Sequence, residues 1–201
     1  MNLFLATSNE HKAAEFAALL AGRGLTGINV RPATAVGDMP PVKETAENFE
    51  GNAWLKAHAM RARVGDGGWV LADDSGLEVD ALGGAPGVRS ARYAGEGATD
   101  DANNARLLSE MEGMTGAARR ARFRCVLALV SPEGREETFS GACEGRIADS
   151  LAGKGGFGYD PLFVPEGYEQ TFAELGETVK NRISHRARAW ELLVKRLHQE
   201  H

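Results

Sequence analysis

The sequence predicts an α/β fold, and three stretches of the chain carry that prediction. Residues 3–6 are a short apolar run that meets a polar turn and then a helix-like stretch at 9–20, which is the strand–turn–helix order of an α/β protein. Residues 69–72 have the apolar composition of a buried strand. Residues 123–130 and 137–147 have the pattern of the two strands of an antiparallel hairpin.

The N-terminal half continues this alternation of strands and helices. Residues 28–30 can form a second strand, and Pro40 and Pro41 prevent any helix from running into the next element. Thr45 then offers an N-cap for a long helix that ends near Ala62, before a run of glycines. This half is therefore expected to place helices between its strands.

The C-terminal half is predicted to mix strands, turns and helices. Its predicted elements, in order, are a strand at 77–82, a helix at 99–111 capped by Thr99, the hairpin with its turn at 131–134, a short strand at 162–164 and a final helix from Ser184. The hairpin turn has its proline and glycine where a β-turn places them. Asp100 and Asp101 lie favourably at the positive end of the dipole of their helix.

The length of the chain predicts one domain over residues 1–201, and its segments and cysteines lead us to expect a cytoplasmic protein. The chain has 23 Lys and Arg against 28 Asp and Glu, and its net charge of −5 has the wrong sign for a main partner that is nucleic acid. No segment has the length of a membrane span, and the first apolar run is too short for a signal sequence. Cys125 and Cys143 are expected to be small core residues in a reducing compartment, with a disulfide or a metal pair as the alternative.

Two adjacent acids, Asp73 and Asp74, follow the apolar strand directly. Charge at the rim of a core is costly unless a cation or a substrate uses it, so the pair indicates a functional site. Neighbouring strand residues point to opposite faces, and only one of the two carboxylates can therefore face a given cleft. The alternative is an acid-rich turn that closes a hairpin, with Ser75 and Gly76 as ordinary turn residues.

The first strand passes into the first helix through a polar segment that can bind anions. Ligands gather at the carboxyl ends of strands in α/β sheets, and the start of a helix offers free N–H groups. Hydroxyls, an amide and a lysine that suit a triphosphate lie in the segment Thr7, Ser8, Asn9, Glu10, His11, Lys12. The alternative is a plain N-cap followed by an exposed lysine.

The long helix from Thr45 carries a polar face. Asn48, Asn52 and Lys56 are four residues apart and fall on that face, where two amides and an ammonium can bind phosphate. Glu44, just ahead of the helix, can reach a metal, because Mg²⁺ takes one or two carboxylates and completes its shell with phosphate oxygens and water. The alternative is a solvated helix face.

A glycine-rich loop at 153–158 surrounds one aromatic residue. Its glycines let the backbone approach a ligand closely and leave the Phe157 ring free to stack on a base. Asp160 can accept a hydrogen bond from a ring N–H of that base. A merely flexible loop is the less favoured interpretation, because it would expose the rings of Phe157 and Tyr159.

Three cationic side chains lie around the start of the last helix. Ser184 fits the N-cap position there, but capping does not account for Lys180, His185 and Arg186. Cations at a helix N-terminus oppose the dipole by up to about 1 kcal/mol, so they indicate an anionic or carbonyl-bearing ligand. The alternative is a solvated basic patch.

Taken together, these segments resemble the inosine triphosphate pyrophosphatase family. The resemblance rests on ATSNEHKAAEF at 6–16, ETAENFEGNAWLKA at 44–57, LADDSGLEVDALGGAPGVRSARYAGEGATD at 71–100, GGFGYDPLF at 155–163 and KNRISHRARA at 180–189. The family usually carries threonine where this chain has Asn48. The resemblance implies an elongated mixed β-sheet flanked by helices, with two lobes around a central nucleotide-binding cleft, and it implies a homodimer.

The resemblance also implies an activity and a metal. The family hydrolyses dITP, ITP and XTP to the monophosphate and pyrophosphate and so cleanses the nucleotide pool. A Mg²⁺-dependent pyrophosphatase is therefore implied, with Glu44 and Asp74 as the Mg²⁺ ligands. Asp74 is further implied as the base that activates water, and Asp73 as a supporting acid.

The substrate-binding residues follow from the same resemblance. The segment from Thr7 to Lys12 is implied to hold the triphosphate, together with Lys56 and Asn52. The residues implied to line the nucleotide site are Ser75, Phe157, Gly158, Tyr159, Asp160, Lys180, His185 and Arg186.

Base recognition would follow from the edge of the purine ring. Hypoxanthine and xanthine offer a 6-oxo acceptor and an N1–H donor, whereas adenine has the opposite pair. Arg186 or His185 can donate to O6, and Asp160 can accept from N1–H, so adenine would leave buried groups unpaired.

Two other functions stay open on the residues alone. One is a nucleotide-sensing or RNA-binding module that uses Phe157 and the basic stretches at 119–124 and 180–188, although the acidic net charge argues against it. The other keeps the superfamily but changes the substrate to pyrimidine or modified nucleotides.

Overall fold

The computed structural model of the chain describes residues 1–22 and 27–198, and their strands form a mixed β-sheet. The strands are β1 (Asn2–Ala6), β2 (Asn29–Pro32), β3 (Trp69–Val79), β4 (Arg120–Val130), β5 (Glu136–Ile147) and β6 (Phe163–Pro165), in the sheet order β2-β1-β3-β4-β5-β6. β1 pairs in parallel with both β2 and β3, and β5 pairs antiparallel with β6. The predicted α/β fold is confirmed.

Helices follow several of the strands. In the described part of the chain they are α1 (Glu10–Gly22), α2 (Phe49–Val64), α3 (Asp100–Glu110), α4 (Phe172–Ile183) and α5 (His185–Leu197). The predicted caps of α3 and α5 are confirmed, because the Thr99 hydroxyl accepts the Ala102 N–H at 3.2 Å and the Ser184 hydroxyl accepts the Ala187 N–H at 3.2 Å. None of these helices is long and apolar enough to span a bilayer.

Two helices differ from the predictions. α2 begins at Phe49 and is capped by Asn48, whose side chain accepts the Gly51 N–H at 2.7 Å. The predicted cap at Thr45 is wrong, because the chain is not yet helical there. α4 lies in a stretch for which no helix is predicted, and it begins at a capping box in which Thr171 and Glu174 each satisfy the other's backbone N–H.

β3 is longer than predicted. It runs unbroken over Trp69–Val79, so Asp73 and Asp74 lie inside the strand and not at its end. The alternative of an acid-rich turn is therefore wrong. The strand continues past the acids because apolar residues such as Leu77 follow them and are fully buried. The predicted separate strand after the acids is the last part of β3, which ends at the 3₁₀ turn Asp80–Leu82.

β4 and β5 form the predicted hairpin. The Ser131 N–H donates to the Arg135 carbonyl at 2.9 Å, and the Gly134 N–H donates to the Ser131 carbonyl at 3.0 Å, which closes the loop. The predicted strands at 28–30 and 162–164 also form, as β2 and β6.

The described residues divide into two compact units, and three strands contribute to both. The first unit holds residues 1–22, 27–74, 125–140 and 189–198, and the second holds residues 75–124 and 141–188. β3 passes from the first unit to the second between Asp74 and Ser75. The single domain over 1–201 and the two lobes around a cleft stay predictions, and residues 23–26 and 199–201 of that domain lie outside the described residues.

Each unit has its own apolar core. In the first unit, β1 is buried from Leu3 to Ala6, and the Phe16 ring packs on Trp190 with ring centroids 5.7 Å apart. In the second unit, Phe123 packs on Phe163 with ring centroids 4.7 Å apart. Aromatic pairs of this kind bury large apolar areas and fix the strands that carry them.

Gly145 of β5 is expected to tolerate no side chain. It pairs with Pro165 of β6, and a Cβ atom at this position would lie 2.3 Å from the Val164 carbonyl oxygen. We expect Gly145→Ala to lower the free energy of unfolding by about 1–3 kcal/mol, because the two strands would have to move apart. Urea unfolding measures the loss, with Gly67→Ala as the control, since nothing lies within 4 Å of a Cβ at Gly67. Equal stability of the two variants would contradict this prediction.

Candidate functional site

Two adjacent acids of β3 form the centre of the first cluster of candidate residues, which also contains Lys12, Glu44, Asn52 and Lys56. Asp73 and Asp74 follow Ala72, which is the last residue of β3 that pairs with β1. Both acids are buried, with 3% and 5% of their surface exposed. Consecutive strand residues point to opposite faces of a sheet, so each carboxylate needs partners of its own.

The Asp73 carboxylate is held at both of its oxygens. Its Oδ1 atom accepts a hydrogen bond from the Lys12 ammonium of α1. Its Oδ2 atom lies 3.1 Å from the Sγ atom of Cys125 in β4, whose thiol donates to it. The Lys12 side chain is only 14% exposed, so it is not the exposed lysine of the alternative interpretation. These contacts suit the implied role of Asp73 as a supporting acid that holds a lysine.

Lys56 of α2 joins two further acids. Its Nζ atom lies 2.7 Å from Asp74 Oδ1 and 3.2 Å from Glu44 Oε1. The other Asp74 oxygen, Oδ2, is buried and has no hydrogen-bond partner in the described part of the chain. Because a buried oxygen without a donor is costly, Asp74 is suited to a cation or a donor that the chain itself does not supply.

Burial and charge act in opposite directions on this cluster. Burial raises the pKa of Asp74 above its ordinary value, although the ammoniums of Lys56 and Lys12 lower it in part. Burial lowers the pKa of Lys56, but the neighbouring carboxylates outweigh burial, so the Lys56 pKa lies above its ordinary value. Lys56 is therefore a fixed cation and the main favourable charge beside Asp74.

Glu44 and Asp74 have the chemistry to hold a divalent metal ion. Mg²⁺ in proteins takes one or two carboxylates and fills its other positions with water and phosphate oxygens. Residues 1–22 and 27–198 contain no group of three or more His, Cys, Asp or Glu side chains placed to hold a metal. The two acids share the Lys56 ammonium, and Asp74 Oδ2, which no described residue contacts by a hydrogen bond, fits a cation. A metal held by these two acids would need further oxygen atoms, from water or from a bound phosphate, to complete its coordination.

The polar segment after β1 caps α1. The Asn9 side chain accepts the Lys12 N–H at 3.0 Å, and the Thr7 hydroxyl accepts the Asn9 N–H at 3.1 Å. The N-cap of the alternative interpretation is thus present. The positive end of the helix dipole and the N–H groups of the first turn can still attract an anion. The exposed residues of this segment are Ser8, Asn9, Glu10 and His11.

Asn52 of α2 is fully buried. Its Oδ1 atom accepts the Ala46 N–H at 3.0 Å, and its Nδ2 atom has no partner within residues 1–22 and 27–198. Asn52 precedes Lys56 by one turn, so this unused donor and the ammonium share a helix face, as predicted. Asn48 caps the helix from outside, so the predicted extension of the polar face to Asn48 is wrong.

The second cluster lies in the second unit and centres on a buried ion pair. The Lys180 Nζ atom of α4 lies 2.5 Å from Asp160 Oδ2 and 4.4 Å from the centroid of the Phe157 ring. Asp160 Oδ2 also accepts the Phe157 N–H at 2.9 Å. Tyr159 is buried, and its hydroxyl donates to the Ser90 carbonyl at 2.9 Å. The glycine-rich loop is therefore built around an ion pair with a cation–π contact.

Arg186 and His185 begin α5 and are also buried. The Arg186 Nη2 atom donates to the Ser75 hydroxyl oxygen at 3.0 Å. The His185 ring stacks on the Phe123 ring, with centroids 4.9 Å apart and 15° between the ring planes. The alternative of a solvated basic patch is wrong here, because the exposed fractions are 4%, 4% and 1% for Lys180, His185 and Arg186.

Cys125 and Phe123 contact candidate residues, and sequence reasoning missed both contacts. They are alternate buried residues of β4, where a thiol and a ring are also ordinary core residues. Their neighbours are decided by distant parts of the chain, so no local signal indicates the contacts. The prediction that Cys125 and Cys143 are buried, unbridged core residues is confirmed.

Two arginines of the basic stretch at 119–124 are held by contacts within the protein. Arg119 is buried, and its guanidinium donates to backbone carbonyls. The Arg122 guanidinium lies 3.0 Å from an oxygen of Asp80 and 3.0 Å from an oxygen of Glu144. Arginines held in this way are poorly suited to a phosphate backbone, which weighs against the RNA-binding interpretation.

Comparisons with known proteins converge on one family. The family model described as the Ham1 family matches residues 3–196. The dITP/XTP pyrophosphatase of Opitutus terrae is 50% identical over 198 residues, which are 97% of this chain and 98% of that protein. The dITP/XTP pyrophosphatase of Bacillus subtilis is 45% identical over 193 residues, which are 96% of this chain and 95% of that protein.

Solved structures of similar proteins share the fold. The structure of the Staphylococcus aureus Ham1 protein has a TM-score of 0.86 and 38% identity, and the match covers 100% of both chains. The structure of a HAM1 protein from Coxiella burnetii has a TM-score of 0.87 and 39% identity, and the match covers 99% of both chains. The likeness therefore extends over the whole length of each protein.

Lys180 is expected to be essential to the stability of the second cluster. Lys180→Met removes the cation beside the buried Asp160 carboxylate, and an uncompensated buried charge costs about 3–5 kcal/mol. We expect a loss of this size in the free energy of unfolding, measured with urea at neutral pH. Lys154→Met is the matched control, because Lys154 is an exposed lysine of the same unit. Losses of similar size in both variants would refute the prediction.

Proposed function

The chain belongs to the Ham1 family, and on this premise we propose that it hydrolyses the noncanonical purine nucleoside triphosphates dITP, ITP and XTP to the monophosphate and pyrophosphate. The relatives named above as dITP/XTP pyrophosphatases match nearly the whole chain. The observation that carries the proposal is the buried Asp74, which keeps one oxygen unpartnered among the described residues while Lys56 holds the other. The protein would thus be a hydrolase that cleanses the nucleotide pool.

The first cluster suits a triphosphate. Negative charge develops on the leaving pyrophosphate, and the ammoniums of Lys12 and Lys56 can neutralise it. The Asn52 Nδ2 atom, which has no partner in the described chain, can donate to a phosphate oxygen. The N–H groups at the start of α1, within the segment from Thr7 to Lys12, add the end of the helix dipole that attracts anions.

Glu44 and Asp74 would hold the Mg²⁺ ion in this proposal. A bound Mg²⁺ supplies positive charge that stabilises the oxyanions of the leaving group. Asp74 is also proposed as the base that takes a proton from the water that attacks the phosphorus nearest the sugar. Asp73 contributes by keeping Lys12 in place.

The second cluster suits an oxopurine base. Lys180 covers one face of the Phe157 ring, and the base would stack on the other. Arg186 or His185 would donate to O6, and Asp160 would accept from N1–H. Adenine carries an amino group and a bare nitrogen at those positions, so it would leave buried groups unpaired.

We further propose a homodimer that works in the cytoplasm and binds neither nucleic acid nor membranes. The family resemblance supports the homodimer. Cys125 and Cys143 are buried and form no disulfide, which suits a reducing compartment. The contacts that hold Arg119 and Arg122, and the net charge of −5, weigh against a nucleic-acid partner.

A panel of triphosphates tests the substrate class. With Mg²⁺ present, we expect kcat/KM for ITP, dITP and XTP to exceed that for ATP by about 100-fold or more, because adenine leaves buried hydrogen-bonding groups unpaired. Chromatography should find the monophosphate and pyrophosphate in equal amounts. EDTA should abolish turnover, and added Mg²⁺ should restore it.

Four outcomes would contradict the proposal, two from the panel, one from adding dTTP and UTP to it, and one from an oligonucleotide-binding assay. Release of orthophosphate, or a preference for ATP, would remove the proposed reaction or its substrate class. A preference for dTTP or UTP over ITP would assign the chain to pyrimidine nucleotides. Salt-sensitive binding of an oligonucleotide without turnover would favour the nucleic-acid module.

Asp74→Asn separates chemistry from binding. An amide cannot take a proton from water, so we expect kcat to fall about 10²–10⁴-fold while the variant folds and still binds nucleotide. Circular dichroism checks the fold, equilibrium titration with ITP checks binding, and product release gives kcat. Glu50→Gln, at an exposed acid of the first turn of α2, is the control. Full activity of Asp74→Asn would remove Asp74 from the base and metal roles.

A further inference from the structure

Two side chains of α3 contact one residue of the glycine-rich loop. The Asp100 Oδ2 atom accepts the Gly158 N–H at 2.6 Å, and the Asn104 Nδ2 atom donates to the Gly158 carbonyl oxygen at 2.9 Å. The two side chains are four residues apart, so they lie one turn apart on the same face of α3. Both backbone groups of Gly158 are therefore held by one helix.

These contacts fix the backbone around Phe157. The Gly158 N–H belongs to the peptide group that follows Phe157, and the Phe157 N–H belongs to the one that precedes it and donates to Asp160 at 2.9 Å. Peptide groups are planar, so anchoring both of them fixes φ and ψ of Phe157 and the direction of its side chain. Gly158 itself has φ +60°, a conformation that favours glycine.

The position of the Phe157 ring depends on that direction. Lys180, only 4% exposed, lies against one face of the ring, so a base can stack only while the ring keeps this orientation. The loop at 153–158 contains four glycines, and ordering such a segment costs much conformational entropy. Because the contacts from α3 order the loop when the protein folds, less of this entropy cost remains to oppose the binding of a ligand.

We propose that Asp100 and Asn104 are positioning residues for base recognition. From α3 they hold both peptide groups of Gly158 and so keep the Phe157 ring oriented to stack on the base of the substrate. Neither side chain need touch the substrate, because both act through the loop. This inference rests on the proposed function, since it requires a purine base at Phe157.

Asp100→Ala and Asp101→Ala form the matched pair that tests the inference. Both acids lie in the first turn of α3, and each substitution removes one negative charge from the same helix terminus, but only Asp100 contacts Gly158. We expect Asp100→Ala to raise KM for dITP about 10-fold with kcat changed less than about twofold. Asp101→Ala, and Asp100→Asn, which keeps an acceptor oxygen, should leave KM within about twofold of the wild type.

Inorganic tripolyphosphate distinguishes positioning from a general loss of structure. It has phosphates but no base, so its inhibition constant should be the same in Asp100→Ala and the wild type. Hydrogen–deuterium exchange of residues 153–158, measured on the full chain without nucleotide, should be faster in Asp100→Ala than in Asp101→Ala. Asn104→Ala should show the same faster exchange, but Asn104 is buried, so the exposed Asp100 is the primary test.

An unchanged KM for dITP in Asp100→Ala would overturn the inference. Equal losses of affinity for dITP and tripolyphosphate, or unaltered exchange of the loop, would also overturn it. If the wild-type protein does not hydrolyse dITP, the proposed function fails by that control alone. The exchange measurement then decides by itself whether α3 holds the loop.

Discussion

The burial of two consecutive carboxylates in one strand is the constraint on which the first cluster depends. Asp73 and Asp74 are both buried in β3, and each would cost several kcal/mol if it were buried without a cation. Lys12 of α1 and Lys56 of α2 supply those cations. The two helices are therefore fixed against β3 by charge as well as by apolar packing. The polar segment after β1 is held near the acids, because it leads into the first turn of α1, which carries Lys12.

Much of the fold could be predicted because its signals are local. The strand–turn–helix start, the hairpin, and the caps at Thr99 and Ser184 depend on residues close in sequence, and all of them form. The acids of β3 suggested the end of a strand, because their neutralising lysines are distant in sequence and cannot be read beside them. α4 did carry a local signal in the capping box of Thr171, but Gly176, which is not helical, interrupts its pattern.

The sequence indicated which residues belong to the candidate site, but it did not indicate which of them contact one another. The motifs indicated charged residues in both clusters, and the structure pairs Lys12 with Asp73, Lys56 with Asp74, and Lys180 with Asp160. Which lysine meets which acid depends on the packing of helices on strands, and composition does not encode it. For the same reason, the sequence does not predict the thiol that donates to Asp73 or the α3 contacts that hold the glycine-rich loop.

The charges of the first cluster explain why a divalent cation and a triphosphate belong together in the proposed reaction. Glu44, Asp73 and Asp74 bring three negative charges against two positive charges from Lys12 and Lys56, so the cluster is net negative by one. A triphosphate alone would be repelled by the acids, most directly by the Asp74 oxygen that has no partner among the described residues. With a divalent cation at Glu44 and Asp74, the net charge becomes positive and the lysines can turn to phosphate oxygens. The charges of the chain's own residues therefore support the proposed binding of a divalent cation together with the triphosphate.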